Sequence, residues 1–474
     1  MFESVAGSYP LYFQSNIAKL NGSMSKSMLK VIADRTTAEP STLSNIRLPI
    51  GSLLALESLA LNFKITTSGT NGVFPTRYSS SFIKRMSITM NNTTVSVIND
   101  YDLIYNLYAD HTNKATTKGI GGEMLDNSVQ WTTATGAGTG DGAISGVSAL
   151  MNTTSNAGVY NMTVNNFIGL FGSASTGVIS TSKIGEIVIS IEWNSSASVL
   201  GGTGETTSVA SGAYSDSKYA VSDINMTVES LSFSDNSFYD AIEASDDVKI
   251  AFDDYVVNKY ATVTKNTGIN ITSYISAGSL EHCVGTTLVA SAPTQQMVAW
   301  GSGGTGATEA DVGNSYKYLA DPIAYTGDTG AGNNGDAFFS TRALQRQGQH
   351  LESSQFSINN KQLNFGSLDR YEVFQNNLQC LGYLNTDASA NGFNDKILSL
   401  EHYYKYYYGC FQSLSLLDRD TYYLSGLSSA GSSCAVNWVA KFSGNSTQAI
   451  VPVLIFKVNK VLHIGKGRSI FIET

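Results

Sequence analysis

One supersecondary unit occurs twice in this chain, about 270 residues apart, and that spacing decides what the chain can fold into. In the first copy, Ser87–Val95 carries the pair Asn91-Asn92 and leads to Asn99, Asp100, Tyr101, Asp102, Leu103, Ile104 and Asn106. In the second, Gln355–Leu363 carries Asn359-Asn360 and leads to Leu368, Asp369, Tyr371, Glu372, Val373, Phe374 and Asn376. Each copy predicts a strand, an Asn-Asn turn tolerant of positive φ, a second strand, an Asp cap and a helix that opens Tyr-acid-apolar-apolar. A period this long exceeds any solenoid repeat or propeller blade, so it fits two copies of a whole domain. Each half also has a late strand with a tryptophan, Trp193 and Trp438.

The composition states the fold class. Length 474 suggests two to three domains. Charged residues make up 14%, against roughly 25% in ordinary soluble proteins, while Gly numbers 44 and Tyr 25. Long wet helices need Glu, Lys, Arg and Ala. This mixture favours many strands joined by Gly, Asn and Ser turns. Low charge also suggests a surface covered by self-assembly, since interface cores are poor in charge. A net charge of −9 with no long basic run argues against direct sequence-specific nucleic-acid binding. Cys283, Cys380, Cys410 and Cys434 share no metal-binding spacing and read as buried free thiols. Neither a secretory signal nor a transmembrane run is expected.

Along the chain, residues 1–43 read as an N-terminal arm, 44–240 as a first β domain and 241–474 as a second. Within the arm, 16–35 is predicted to be an amphipathic helix. Leu20, Met24, Met28, Leu29 and Ile32 recur at helical spacing, with Lys19, Lys26 and Lys30 among them. Helices are predicted at Tyr101–Ala109 and Leu368–Leu378. The Gly-rich segments 132–157 and 301–336 are expected as loops.

The fold class is therefore all-β: two tandem eight-stranded jelly-roll barrels, a short N-terminal helical arm and Gly-rich surface loops. Here the sequence resembles the double-jelly-roll major capsid proteins of the tectivirus–adenovirus lineage. The resemblance rests on Leu48–Leu54, Ser81–Ile88, the helix start at Asn99–Leu107, Ala220–Leu231 and the repeat at Gln355–Leu378. It implies a virion protein that forms homotrimers, two barrels per subunit, in pseudo-hexagonal capsomers of an icosahedral shell. Implied partners are neighbouring capsomers, penton or minor capsid proteins and an internal viral membrane. For the arm, two readings stand. Lys19, Leu20, Met24, Lys26, Met28 and Lys30 either face that membrane or pack beneath a barrel.

No catalytic, cofactor or metal residues emerge. The five histidines lack metal spacing. Gly301–Gly306 matches a dinucleotide fingerprint in letters but has no βαβ setting. Asp328–Asp336 has oxygen ligands without EF-hand spacing, and Asp253-Asp254 reads as a charge pair at a strand edge. Two alternatives remain open: a surface adhesin or carbohydrate-binding β-sandwich, and a jelly-roll hydrolase or lyase.

Overall fold

The computed structural model describes residues 24–68, 73–75, 79–112, 130–133, 142–145, 151–152, 157–202, 218–233, 247–289, 298–299, 337–338, 346, 348, 350–364, 366–381, 400, 403–404, 407–415, 424–429, 433–443 and 449–473. The strands of the first half are β1 (Met24–Ile32), β2 (Leu43–Leu48), β3 (Leu53–Ser68), β4 (Ile83–Met90), β5 (Thr93–Asn99), β6 (Ala157–Val164), β7 (Ile187–Trp193) and β8 (Lys218–Phe233). Helix α1 (Tyr101–Thr112) follows β5. The second half has β9 (Asp247–Lys259), β10 (Ile269–Ile275), β11 (Ser279–Val289), β12 (Leu351–Ile358), β13 (Lys361–Gln362), β14 (Cys410–Ser413), β15 (Cys434–Phe442), β16 (Ala449–Gly465) and β17 (Ile470–Glu473). Helix α2 (Arg370–Cys380) follows β13.

Each half winds its strands alternately into two antiparallel sheets. The first half forms a six-stranded sheet, β1-β8-β3-β6 extended by Met151–Asn152 and Val178–Ser180, and a four-stranded sheet, β2-β7-β4-β5. The second forms β9-β16-β11-β14, extended by Val263–Thr264 and β17, and β10-β15-β12-β13. Adding eight to every strand number of the first path gives the second. This is jelly-roll winding, and it is the same in both halves.

Local chemistry explains the repeat. Asn91 and Asn92 have φ of 44° and 65°, and Asn359 and Asn360 have 50° and 64°. Such backbone suits a two-residue hairpin, and Asn tolerates it better than other side-chain-bearing residues. In each barrel the first Asn donates its N–H to the strand next door, Asn91 to Glu186 O and Asn359 to Ala435 O. Both tryptophans are buried, and each indole N–H donates to a serine hydroxyl 2.9 Å away: Trp193 to Ser44 and Trp438 to Ser354. Gly285 lies against the Trp438 indole, and a Cβ there would fall 2.5 Å from the ring.

The N-terminal segment differs from expectation. Residues 24–32 form a strand, with Met24 paired to Phe233 and Ile32 to Asn225 on β8. The same letters carry a second period: Leu29, Val31 and Ala33 turn inward, whereas Met28, Lys30 and Ile32 point out. Edge pairing to β8 satisfies a row of backbone groups that a free helix would not supply, and it decides between the two periods. The sheet of the first barrel thus includes Met24–Ile32, part of the segment expected as an arm. Lys19, Leu20 and residues 16–23 lie outside the described residues.

Because the strands alternate in direction, the connections alternate between two ends. At one end lie the tight turns 49–52, 91–92, 276–278 and 359–360. The longest excursions, 100–156, 194–217, 290–350 and 363–409, all leave from the other. Segment 301–336 lies outside the described residues, and 132–157 is described only in short strand pieces.

The Asn turns give a direct test. Asn360→Val should destabilise the protein by about 1–2 kcal/mol, because a β-branched residue is forced to positive φ. Asn360→Gly should be close to neutral. Urea midpoints of the two variants check this.

Candidate functional site: the seam between the barrels

The two barrels do not pack as independent bodies. On β16, Leu454, Phe456 and Val458 belong to the second barrel's own core. Alternation then turns Val453, Ile455, Lys457 and Asn459 to the other face, where Val453 and Ile455 join the first barrel's core cluster. Ile250, Phe252, Tyr255, Phe411, Leu462 and Ile464 join the same cluster. Apolar contact therefore runs unbroken across the seam.

Aromatic and polar contacts fix its geometry. Tyr108 of α1 meets Tyr255 and Phe411 edge-on, at ring-centroid distances of 5.6 and 5.7 Å. His111 meets Phe411 at 4.9 Å. Ser96 of β5 donates to Asp254 Oδ1 at 2.9 Å, and Lys460 Nζ reaches Asp254 Oδ2 at 2.6 Å. Ser173 Oγ accepts from the Asp253 N–H, and Ala251 O accepts from the Ser175 N–H. At the tight-turn end, Asn91 Nδ2 donates to Arg468 O, just past the end of β16. The tight-turn ends of the two barrels thus lie together.

A buried ionic cluster lies on the same face. Lys457 Nζ is 3.2 Å from Asp253 Oδ2 and 2.9 Å from Glu281 Oε2, and all three side chains are 4–5% exposed. Asn459 Nδ2 donates to both carboxylates. Asp253 and Asp254, expected as an edge charge pair, are instead interior groups, each with its own lysine. Sequence inspection had no access to Glu281 or Lys457, because their pairing spans 176 residues and two strands.

The helix starts expected from the repeat take different environments. Asp100 has a φ of 50°, and its carboxylate binds Lys84 and, across the seam, Lys259 at 2.7 Å. Burial pushes the Asp100 carboxyl up, but the two lysines outweigh this and hold it below its ordinary range. Burial dominates at Asp102 and raises it. Tyr101 is fully buried, and its hydroxyl accepts from the Ile168 N–H. In the second barrel, Asp369 accepts from the Tyr371 and Glu372 amides, and Glu372 returns a bond to the Asp369 N–H, closing a capping box. Tyr371 is 66% exposed. Of the arm residues, Met24, Lys26, Met28 and Lys30 lie on β1, and Lys26 pairs with Glu229 at 3.3 Å.

Cys283, Cys410 and Cys434 are buried and free, and Cys380 is free and half-buried. Burial pushes the Cys410 thiol up to about 12 and Cys380 up to about 11.

No family model matches the chain, and no curated protein matches it. Solved structures do. The PBCV-1 protein VP54, whose crystal structure was fitted into a reconstruction of the virophage Sputnik, superposes with a TM-score of 0.56 at 10% identity, covering 97% of this chain and 98% of that one. The Faustovirus major capsid protein gives 0.57 at 11%, covering 96% and 94%. The mavirus major capsid protein gives 0.52 at 8%, covering 100% and 96%. This chain has the double-jelly-roll fold of viral major capsid proteins. The match runs through both barrels.

Two measurements test the seam. Lys457→Met should cost about 3–5 kcal/mol in denaturant unfolding, because Asp253 and Glu281 lose their buried cation. Asp100 supplies a pH-dependent contribution. Its folded value is depressed, so the stabilisation is complete above the ordinary carboxylate range near pH ~4 and fades as pH falls through the lower folded value. The stability gap between wild type and Asp100→Asn should therefore be largest at pH 7 and shrink in acid.

Proposed function

We propose that the chain is a viral major capsid protein that self-assembles into pseudo-hexameric homotrimers, which tile an icosahedral shell. The observation that carries this reading is the seam. It holds two barrels of like winding side by side, with their tight-turn ends together, as one rigid unit. Three such units supply six similar barrels, and a threefold ring of them approximates a hexagon. Likeness to the capsid proteins named above, over nearly the full length, supports the same reading. Those neighbours lend no support to an adhesin, and the proposal assigns no reaction to the chain.

The finer partners belong to the proposal as well. Neighbouring capsomers and penton or minor capsid proteins would meet the outer edges of the ring. The excursions 132–157 and 301–336, which leave from one end, would face outward. Contact with an internal membrane would then fall to residues 1–23, which include Lys19 and Leu20, since β1 is committed to β8.

Light scattering of the purified full chain should give three times the chain's mass, and electron microscopy of the source should show hexagonal capsomers. A strict monomer at high concentration would sink the reading. Deleting residues 1–23 should leave trimers intact and impair membrane-containing particles. Deleting 1–35 should abolish trimers, because it strips β1 from the first barrel.

A further inference from the structure

Duplication gives this chain two copies of each face of the seam, and folding uses only one of each. The first barrel presents β5, the Asn91-Asn92 turn and α1, and the second receives them on β9 and just past the end of β16. By strand correspondence, the second barrel carries the same presenting face in β13, the Asn359-Asn360 turn and α2. The first barrel carries the same receiving strand, β1. Among the described residues, both counterparts keep exposed side chains.

Exposure marks the difference. Tyr101–Leu107 of α1 are all buried, whereas α2 leaves Tyr371, Glu372 and Gln375 exposed. Ile250–Tyr255 of β9 are all buried, whereas β1 leaves Met28 62% and Ile32 61% exposed, with Lys30 between them. Counted back from the last residue of each strand, Met28 holds the place of Tyr255, the residue that meets α1 in the seam. Beside β1 lies a groove of about 400 Å³ lined by Lys30, Ile32, Asn62, Lys64 and Asp223.

Charge follows the same plan. In the seam, the receiving strand sends Lys259 to Asp100 at the start of α1. In the other pair, β1 carries Lys30, two residues before the place of Lys259, and α2 begins with Asp369 and Glu372.

We propose that these two open faces form one interface between copies of this chain. β1 of one protomer packs on the β13–α2 face of a second copy, with Met28 and Ile32 against Tyr371 and Lys30 beside Glu372. Thioether–aromatic contact and an opposite-charge pair suit that arrangement. The contact is heterologous: each dimer leaves one unused face at either end, and a third copy closes the ring. The proposal rests on the trimer reading and specifies which surface builds it.

Light scattering of full-chain variants tests it. Met28→Glu and Tyr371→Glu should each raise the trimer's dissociation constant about 30-fold or more, as hot-spot loss does. Lys30→Glu should weaken trimers, and Lys30→Glu with Glu372→Lys should restore them, a rescue that misfolding cannot produce. Tyr274→Glu is the control: it lies on β10, at the far edge of its sheet from β13, is 73% exposed, and should leave trimers unchanged. If the wild type is trimeric and trimers survive both Met28→Glu and Tyr371→Glu, or the double charge swap restores nothing although its urea midpoint matches that of Lys30→Glu, the interface is wrong and the trimer reading stands. A monomeric wild type overturns both.

Discussion

Lys457 lies between Asp253 and Glu281 on the outer face of a barrel, a place that would be wet in an isolated jelly roll. The first barrel reaches β9 through Ser173, which accepts from the Asp253 N–H, and the second barrel's own Gly426 closes on Ser279 beside Asn459. A buried cation held by two carboxylates has few acceptable geometries, because separating any partner strands a charge away from water. The surrounding apolar contacts, Tyr255 and Phe411 on Tyr108 and the continuation of the first core onto Val453 and Ile455, supply area but little direction. Hydrogen bonds given by Ser96 and Asn91 and accepted by Ser173 supply the direction. The two barrels therefore keep one relative placement, and any assembly made from this chain inherits it.

The division of labour between the halves follows from that seam. Two helices with the same opening letters have different lives. α1 meets the second barrel through Tyr108 and His111, whereas α2 turns one side to Tyr403, Tyr404 and Phe411 and leaves Tyr371, Glu372 and Gln375 exposed. Tyr101 and Tyr371 show this most directly, one sealed with its hydroxyl bonded to the Ile168 amide and the other two-thirds exposed. The capping box at Asp369 secures α2 locally, whereas Asp100 is committed to lysines, one of them across the seam. A helix in the seam gains its order from tertiary contact, and the open one carries its own.

What the sequence disclosed is what local chemistry determines. The Asn-Asn turns, the helices that follow them and the two tryptophan strands each depend on a few consecutive residues, so the repeat was readable, and with it the pair of barrels. Residues 24–32 show the opposite case. Met24, Met28 and Ile32 fit a helix, and Leu29, Val31 and Ala33 fit a strand. Only pairing to β8, some 200 residues on, separates the two. Lys457 with Glu281 and Lys259 with Asp100 were hidden for the same reason, since nothing near either residue in the chain indicates a partner.

The arrangement of the connections gives the molecule a polarity. At one pole lie the hairpin turns of two to four residues, beside longer connections such as 165–186, and the seam ties the two barrels together there through Asn91 and Arg468. At the other pole tens of residues separate consecutive barrel strands. Length gained or lost there lies between strands of the barrel, whereas a residue inserted in a two-residue turn such as Asn91-Asn92 would shift the pairing of β4 with β5. Variation and grafted peptides therefore have their widest room at the second pole, and the Asn-Asn hairpins are the points that tolerate them least.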